Sequence, residues 1–154
     1  MKISKKAVII IFTIVVTGIS VCLNFCQFFM GNKAITFNFA ISLLFLLSWT
    51  LFSIYWGTKC DKTYKKFILV YWGINIISFI LIILHIESLS GLLIPFAIWY
   101  GSPVYGFRYL LNSNITLFTL TTALLGLIFS FLGYWMGLLG YKYMSNRNIT
   151  EING

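Results

Sequence analysis

Four long apolar blocks, none containing Asp, Glu, Lys or Arg, constrain this chain more than any other feature of its sequence. They run from Ala7 to Met30, Ile35 to Trp56, Phe67 to Ile86 and Ile115 to Tyr141. Each holds about 20 residues or more, and at about 1.5 Å of rise per residue such a helix crosses a roughly 30 Å hydrocarbon core. A soluble all-helical protein is the competing fold. Its helices would still need a polar face, and these blocks are apolar on every side. With 60% hydrophobic and 9% charged residues in 154, no room remains for a separate soluble domain. The expectation is one all-α membrane domain over residues 1–154. The short links Gly31–Ala34 and Gly57–Lys66 make it an antiparallel bundle of four transmembrane helices.

The net charge of +8 suggests nucleic acid until the cations are placed. Lys2, Lys5 and Lys6 precede the first block, Lys59, Lys62, Lys65 and Lys66 follow the second, and Lys142 and Arg147 follow the last. Only Lys33 and Arg108 fall on the other side of the implied membrane. Cationic loops stay cytoplasmic during insertion, so both termini and the 58–66 loop are expected inside. There the lysines face an anionic leaflet. The charge is topological, the lipid bilayer is the expected partner, and nucleic acid is not.

Lys5-Lys6 followed by an apolar run resembles a signal peptide, and Ile19-Ser20-Val21-Cys22 faintly resembles a lipoprotein cleavage site. Val21 is too large for the position before a lipidated cysteine, and the run continues to Met30. An uncleaved first span is expected.

Residues 87–114 are the least ordinary stretch. They are too apolar for a solvated loop, yet Pro95, Gly101, Pro103 and Gly106 interrupt any uniform helix. Trp99, Tyr100, Tyr105 and Tyr109 are residue types that settle at headgroup depth. The expected form is an aromatic-rich cap of two short helices on the outer interface or dipping inward. A fifth span is the rival. It puts the C-terminus outside and leaves eight cations inside against three, so the charge rule prefers four.

In the last block Thr119, Ala123, Gly126, Ser130, Gly133, Gly137 and Gly140 recur at alternating spacings of four and three. That alternation keeps them on one stripe of a helix. Helices in lipid associate by close backbone approach, which small residues permit. The stripe serves either packing inside the bundle or docking of a second copy or another membrane protein, with Gly126, Ser130, Gly133 and Gly137 at its centre. Gly18, Cys22 and Cys26 offer a matching groove on the first span. Cysteines four apart on a helix do not form an easy disulfide, and no Cys-x-x-Cys pair exists. Cys60 lies in the basic loop.

The residues of recognisable chemistry are nearly all missing. His85 is the only histidine, and with Glu87 alone beside it no zinc site forms. His85 and Glu87 are expected to meet Arg108 of the cap, with Trp99 and Tyr105, in an outer-face contact that either pins the cap or binds a partner. Ion-coupled transport usually needs a charge within the membrane. The spans hold only Asn24, Gln27, Asn38, Asn75 and scattered Ser and Thr, which read as interhelical glue. No internal repeat supports an inverted-repeat transporter. The Asn-Ile-Thr triplets at 114 and 148 carry no weight in a composition rich in Ile, Asn, Lys and Phe, that of an AT-rich bacterial genome. The expected function is non-enzymatic and cofactor-free: an accessory, immunity-type or assembly subunit acting as a homo-oligomer or with another membrane protein. A protomer of an oligomeric channel or transporter for a neutral solute is second, and an intramembrane enzyme third.

Overall fold

The computed structural model describes residues 4–84, 90–111 and 115–152, and across these the chain is helical without a strand. The elements are α1 (Lys5–Phe29), α2 (Thr36–Thr58), α3 (Lys62–Ile83), α4 (Ser90–Gly101), a 3₁₀ segment (Ser102–Phe107), α5 (Arg108–Leu111) and α6 (Ile115–Ile152). Helices α1, α2, α3 and α6 are long and apolar enough to cross a membrane. In α6 the qualifying stretch is Leu124–Ser145. The polar residues after Ser145 continue the helix to Ile152. No Gly or Pro occurs among them to stop it.

Local chemistry sets the helix boundaries. Ser4 Oγ accepts from the Ala7 amide, and the Asn38 side-chain oxygen, Oδ1, accepts from the Ile35 amide at the start of α2. Asp61 accepts from the Thr63 and Tyr64 amides at 2.8 and 3.1 Å and so caps α3. Helix α1 ends where Gly31 turns left-handed, φ +63°, letting the Asn32 amide reach back to the Gln27 carbonyl. Cys60 does the same after α2 at φ +51°, with the Asp61 amide on the Trp56 carbonyl. A side chain in that conformation is strained, so this tight link is held by its surroundings.

Contacts at the helix ends sort the cations. Lys5 Nζ of α1 meets Asp61 Oδ2 at 3.1 Å, and Tyr134 Oη of α6 donates to the Asp61 carbonyl at 3.4 Å. Lys5, the 58–66 link and the C-terminal half of α6 therefore share one end. Arg108 donates to the Gly31 carbonyl and lies with the α1–α2 link at the other.

Burial runs opposite to that of a water-soluble protein. Asn24, Asn38, Asn75, Ser42, Ser53, Thr17 and Ser130 are fully buried, whereas Ile14, Ile19, Leu44, Leu51, Val70, Ile77, Leu132 and Leu139 stand at least half exposed. The centre is aromatic. Trp49 packs against Tyr71 at 5.2 Å and Trp72 at 5.3 Å between ring centres, and Tyr64 stacks on Trp56.

Asp61 generates a testable expectation. Burial alone raises its carboxyl pKa, but the Tyr64 amide, the Lys5 side chain and the Thr63 amide outweigh that and hold it below 3.8. Asp61→Ala should cost about 1 kcal/mol through the lost cap, whereas Asp61→Asn keeps the cap and forfeits only the part-buried pair with the exposed Lys5 ammonium, about 1 kcal/mol or less. Because the folded pKa is depressed, the excess of wild type over Asp61→Asn should be complete above about pH 5 and vanish as pH falls through the folded value. Thermal unfolding in detergent across that range checks the order and the sign.

Candidate functional site

The segment expected as a cap on the outer interface or dipping inward takes the second form, folding back between the helices as a hairpin. Helix α4 descends along α3, and the chain turns in the 3₁₀ segment and returns through α5. Pro95 sits on the exposed side of α4 without ending it, and the helical geometry changes only after Gly101, at Ser102-Pro103. Trp99 Nε1 donates to the Tyr71 hydroxyl at 3.0 Å, and the Tyr100 hydroxyl donates to the Tyr71 carbonyl at 3.1 Å. Tyr71 lies twelve residues before Ile83, so the hairpin tip reaches about 18 Å along α3 from that end. Residues 100–106 are all buried.

Such a turn frees peptide groups from helical bonding, and buried peptide groups require partners. Side chains of α1 and α2 provide them. The Asn24 amide donates to the Ser102 carbonyl at 3.1 Å and to the Pro103 carbonyl at 3.4 Å. Its oxygen accepts from the Asn38 side-chain amide at 2.9 Å. Ser42 Oγ accepts from the Gly106 amide at 2.9 Å, and Ser102 Oγ donates to the Val21 carbonyl at 3.3 Å. Both asparagines and Ser42 are fully buried. The buried polar residues of the long apolar helices thus bond a loop backbone as well as one another.

Gly106 permits the closest approach. A Cβ there would collide with the Asn38 carbonyl and the Phe39 Cα, both backbone atoms of α2. The sequence offered Gly106 only as a helix breaker. Its contact partner, Asn38, was legible as a buried polar residue but not as the wall behind a glycine.

The outer-face contact divides accordingly. Tyr105 is 2% exposed; its hydroxyl donates to the Asn32 carbonyl, and its ring lies edge-on to Phe28 and Phe118. Trp99 is half-buried against Tyr71. The polar atoms of both aromatics find partners inside, which encloses Tyr105 and leaves Trp99 with part of its surface exposed. Arg108 donates to the Tyr105 hydroxyl at 2.9 Å and to the Gly31 carbonyl at 3.4 Å, joining the hairpin to the α1–α2 link. His85 and Glu87, expected beside it, lie outside the described residues.

The small-residue stripe of α6 is occupied within the chain. Gly126 faces the Trp72 indole, and Ser130 Oγ accepts from Trp72 Nε1 at 3.0 Å. Gly133 lies against the Thr50 carbonyl, and Gly137 against the Ile54 carbonyl and the Gly57 Cα. Gly140 faces open space, and the side chains of Thr119 and Ala123 lie outside the described set. The first-span residues differ. A Cβ on Gly18 would meet nothing within 4 Å, and Cys22 and Cys26 are exposed free thiols. Among the described residues no three His, Cys, Asp or Glu side chains converge to hold a metal.

The hairpin network predicts two phenotypes. Asn24→Leu strands two carbonyls and the Asn38 amide and should destabilise the fold by about 1–3 kcal/mol or more. Gly106→Ala should dislodge the hairpin, whereas Gly91→Ala, with open space at its Cβ, should be tolerated. In a background without native cysteines, a thiol at Val104, 1% exposed, should resist maleimide and become reactive in both disruptive variants. Unchanged protection would refute the network's structural role.

No protein-family model matches the chain, and neither a curated protein nor a solved structure matches it.

Proposed function

We propose that the chain is a multi-pass integral protein of the cell membrane, an antiparallel four-span bundle with both termini cytoplasmic. In this reading the 90–111 hairpin is re-entrant. The observation that supports insertion is the reversed burial: asparagines and serines inside, isoleucine and leucine outside. The orientation rests on the cations, with Lys5, Lys59, Lys62, Lys65, Lys66 and Lys142 toward one end and Lys33 and Arg108 toward the other. Single cysteines placed at Lys33 and Asn112 should react with an impermeant reagent applied outside the cell. Those at Lys62 and Ser145 should not, and external labelling at Ser145 would overturn the orientation.

Its function, in this proposal, is that of an accessory, immunity-type or assembly subunit that acts by helix–helix association without chemistry of its own. The observation that carries this reading is the contrast between the two small-residue stripes. Helix α6 uses Gly126, Ser130, Gly133 and Gly137 on α2 and α3, whereas Gly18, Cys22 and Cys26 leave the backbone of α1 open to an incoming helix. Oxidative cross-linking through Cys22 in native membranes should therefore yield a homodimer or a defined hetero-complex. Gly18→Leu should abolish that product while leaving monomer stability intact. Gly137→Leu should instead lower stability by about 1–3 kcal/mol, by analogy with overpacked cores. A monomer only, or a product indifferent to Gly18→Leu, would rule out association through α1.

The second reading is a protomer of an oligomeric channel or transporter for a neutral solute. The re-entrant hairpin favours it, because irregular backbone at membrane depth often borders a pathway. Against it, the Ser102, Pro103 and Gly106 peptide groups are already bonded by Asn24 and Ser42. Solute flux into reconstituted vesicles separates the two.

A further inference from the structure

Between α1 and α3, at the end where Lys5 meets Asp61, lies an open groove of about 320 Å³ lined by Lys6, Ile9, Ile10, Thr63, Lys66, Phe67 and Val70. Its walls are hydrocarbon from Ile9, Ile10, Phe67 and Val70. Its cations come from both helices, Lys6 from α1 and Lys66 from α3.

The nearby Lys5 ammonium is committed to Asp61, and Lys59 lies over the Tyr55 ring. Lys6 and Lys66 have no carboxylate partner among the described residues, where Asp61 is taken by Lys5. A hydrocarbon slot flanked by a lysine from each helix complements an amphiphile with an anionic head and an apolar chain. A docked apolar helix would cover the hydrocarbon walls but leave both ammoniums without an anion, whereas an anionic lipid satisfies both.

We propose that this groove is a binding seat for one anionic phospholipid of the cytoplasmic leaflet. Its phosphate lies between Lys6 and Lys66, with the Thr63 hydroxyl nearby, and an acyl chain lies along Ile10, Phe67 and Val70. Basic pockets between helices at the cytoplasmic side are suited to such headgroups. The seat rests on the membrane reading above but not on the association reading. It adds to general attraction of lysines to an acidic leaflet a fixed position, a stoichiometry of one and a dependence on slot shape.

The test uses full-length protein reconstituted in phosphatidylcholine bilayers, with spin-labelled phosphatidylglycerol and phosphatidylcholine of identical chains as probes. Carbonate-resistant incorporation is scored first; failure there overturns the membrane reading and the seat with it. Incorporated wild type should retain the phosphatidylglycerol probe preferentially, by about five-fold for each lysine in contact. Lys6→Gln with Lys66→Gln should reduce that preference toward unity. Lys62→Gln with Lys65→Gln, equal in charge lost but off the groove, should largely keep it. Val70→Trp, which fills the slot and leaves every charge, should also remove it. Water-soluble glycerophosphate should not displace the probe. Equal losses in the two lysine pairs, no effect of Val70→Trp, or no preference in incorporated wild type would each overturn the seat.

Discussion

A peptide backbone that leaves the helix inside an apolar bundle must find partners for its freed groups, and here Asn24 supplies most of them. One side-chain amide holds the Ser102 and Pro103 carbonyls, while its oxygen is held by Asn38. An asparagine can do this because it carries two donors and an acceptor in one plane. Asn38 also caps α2, so the start of that helix and the tip of the hairpin are joined through one pair of side chains. Loss of one member leaves the others buried and unsatisfied, which is why such networks are costly to break.

A second set of close approaches binds the bundle from the opposite end. Gly137 and Gly57 bring the backbones of α6 and α2 together, and Tyr134 and Lys5 both reach Asp61. Dispersion between closely apposed atoms is weak per pair and large in sum. Trp72 connects the two regions. Its indole covers Gly126 and donates to Ser130, and its ring meets those of Trp49, Tyr71 and Tyr100.

The four long helices were legible because uninterrupted apolar length is a one-dimensional signal. Their ends were less so: the first block begins at Ala7 and the helix at Lys5, with Ser4 as its cap, but the last block ends at Tyr141 and the helix at Ile152. The small-residue stripe was legible as a face but not as to what it faces. Spacing reports which residues align on a helix and is silent on whether the neighbour is α2 or another chain. Which of the two expected forms the hairpin takes was not legible, for a related reason. Trp99, Tyr100 and Tyr105 are amphipathic, and the same side chains suit a headgroup layer or a core that offers hydrogen-bond acceptors. The deciding signal was distant in sequence: polar Asn24, Asn38 and Ser42 in otherwise apolar helices, with Gly106 far downstream. Asp61 was visible as the lone aspartate, yet its role depends on the three residues after it adopting a helical turn.

The bonds that fix the hairpin join Asn24 to residues 78 and 79 positions further along the chain. Neither the turn nor its acceptors exist when α1 and α2 emerge from synthesis, and the two asparagines meet each other first, only 14 residues apart. Local pairings form early and distant ones late, because closing a long loop must precede its reward. The amides of Asn24 and Asn38 therefore begin as a handshake between neighbouring helices and only afterwards become a receptor for the chain's own later segment. A delay or an error in that order leaves a preformed polar socket open in the middle of the protein, available to whichever peptide arrives.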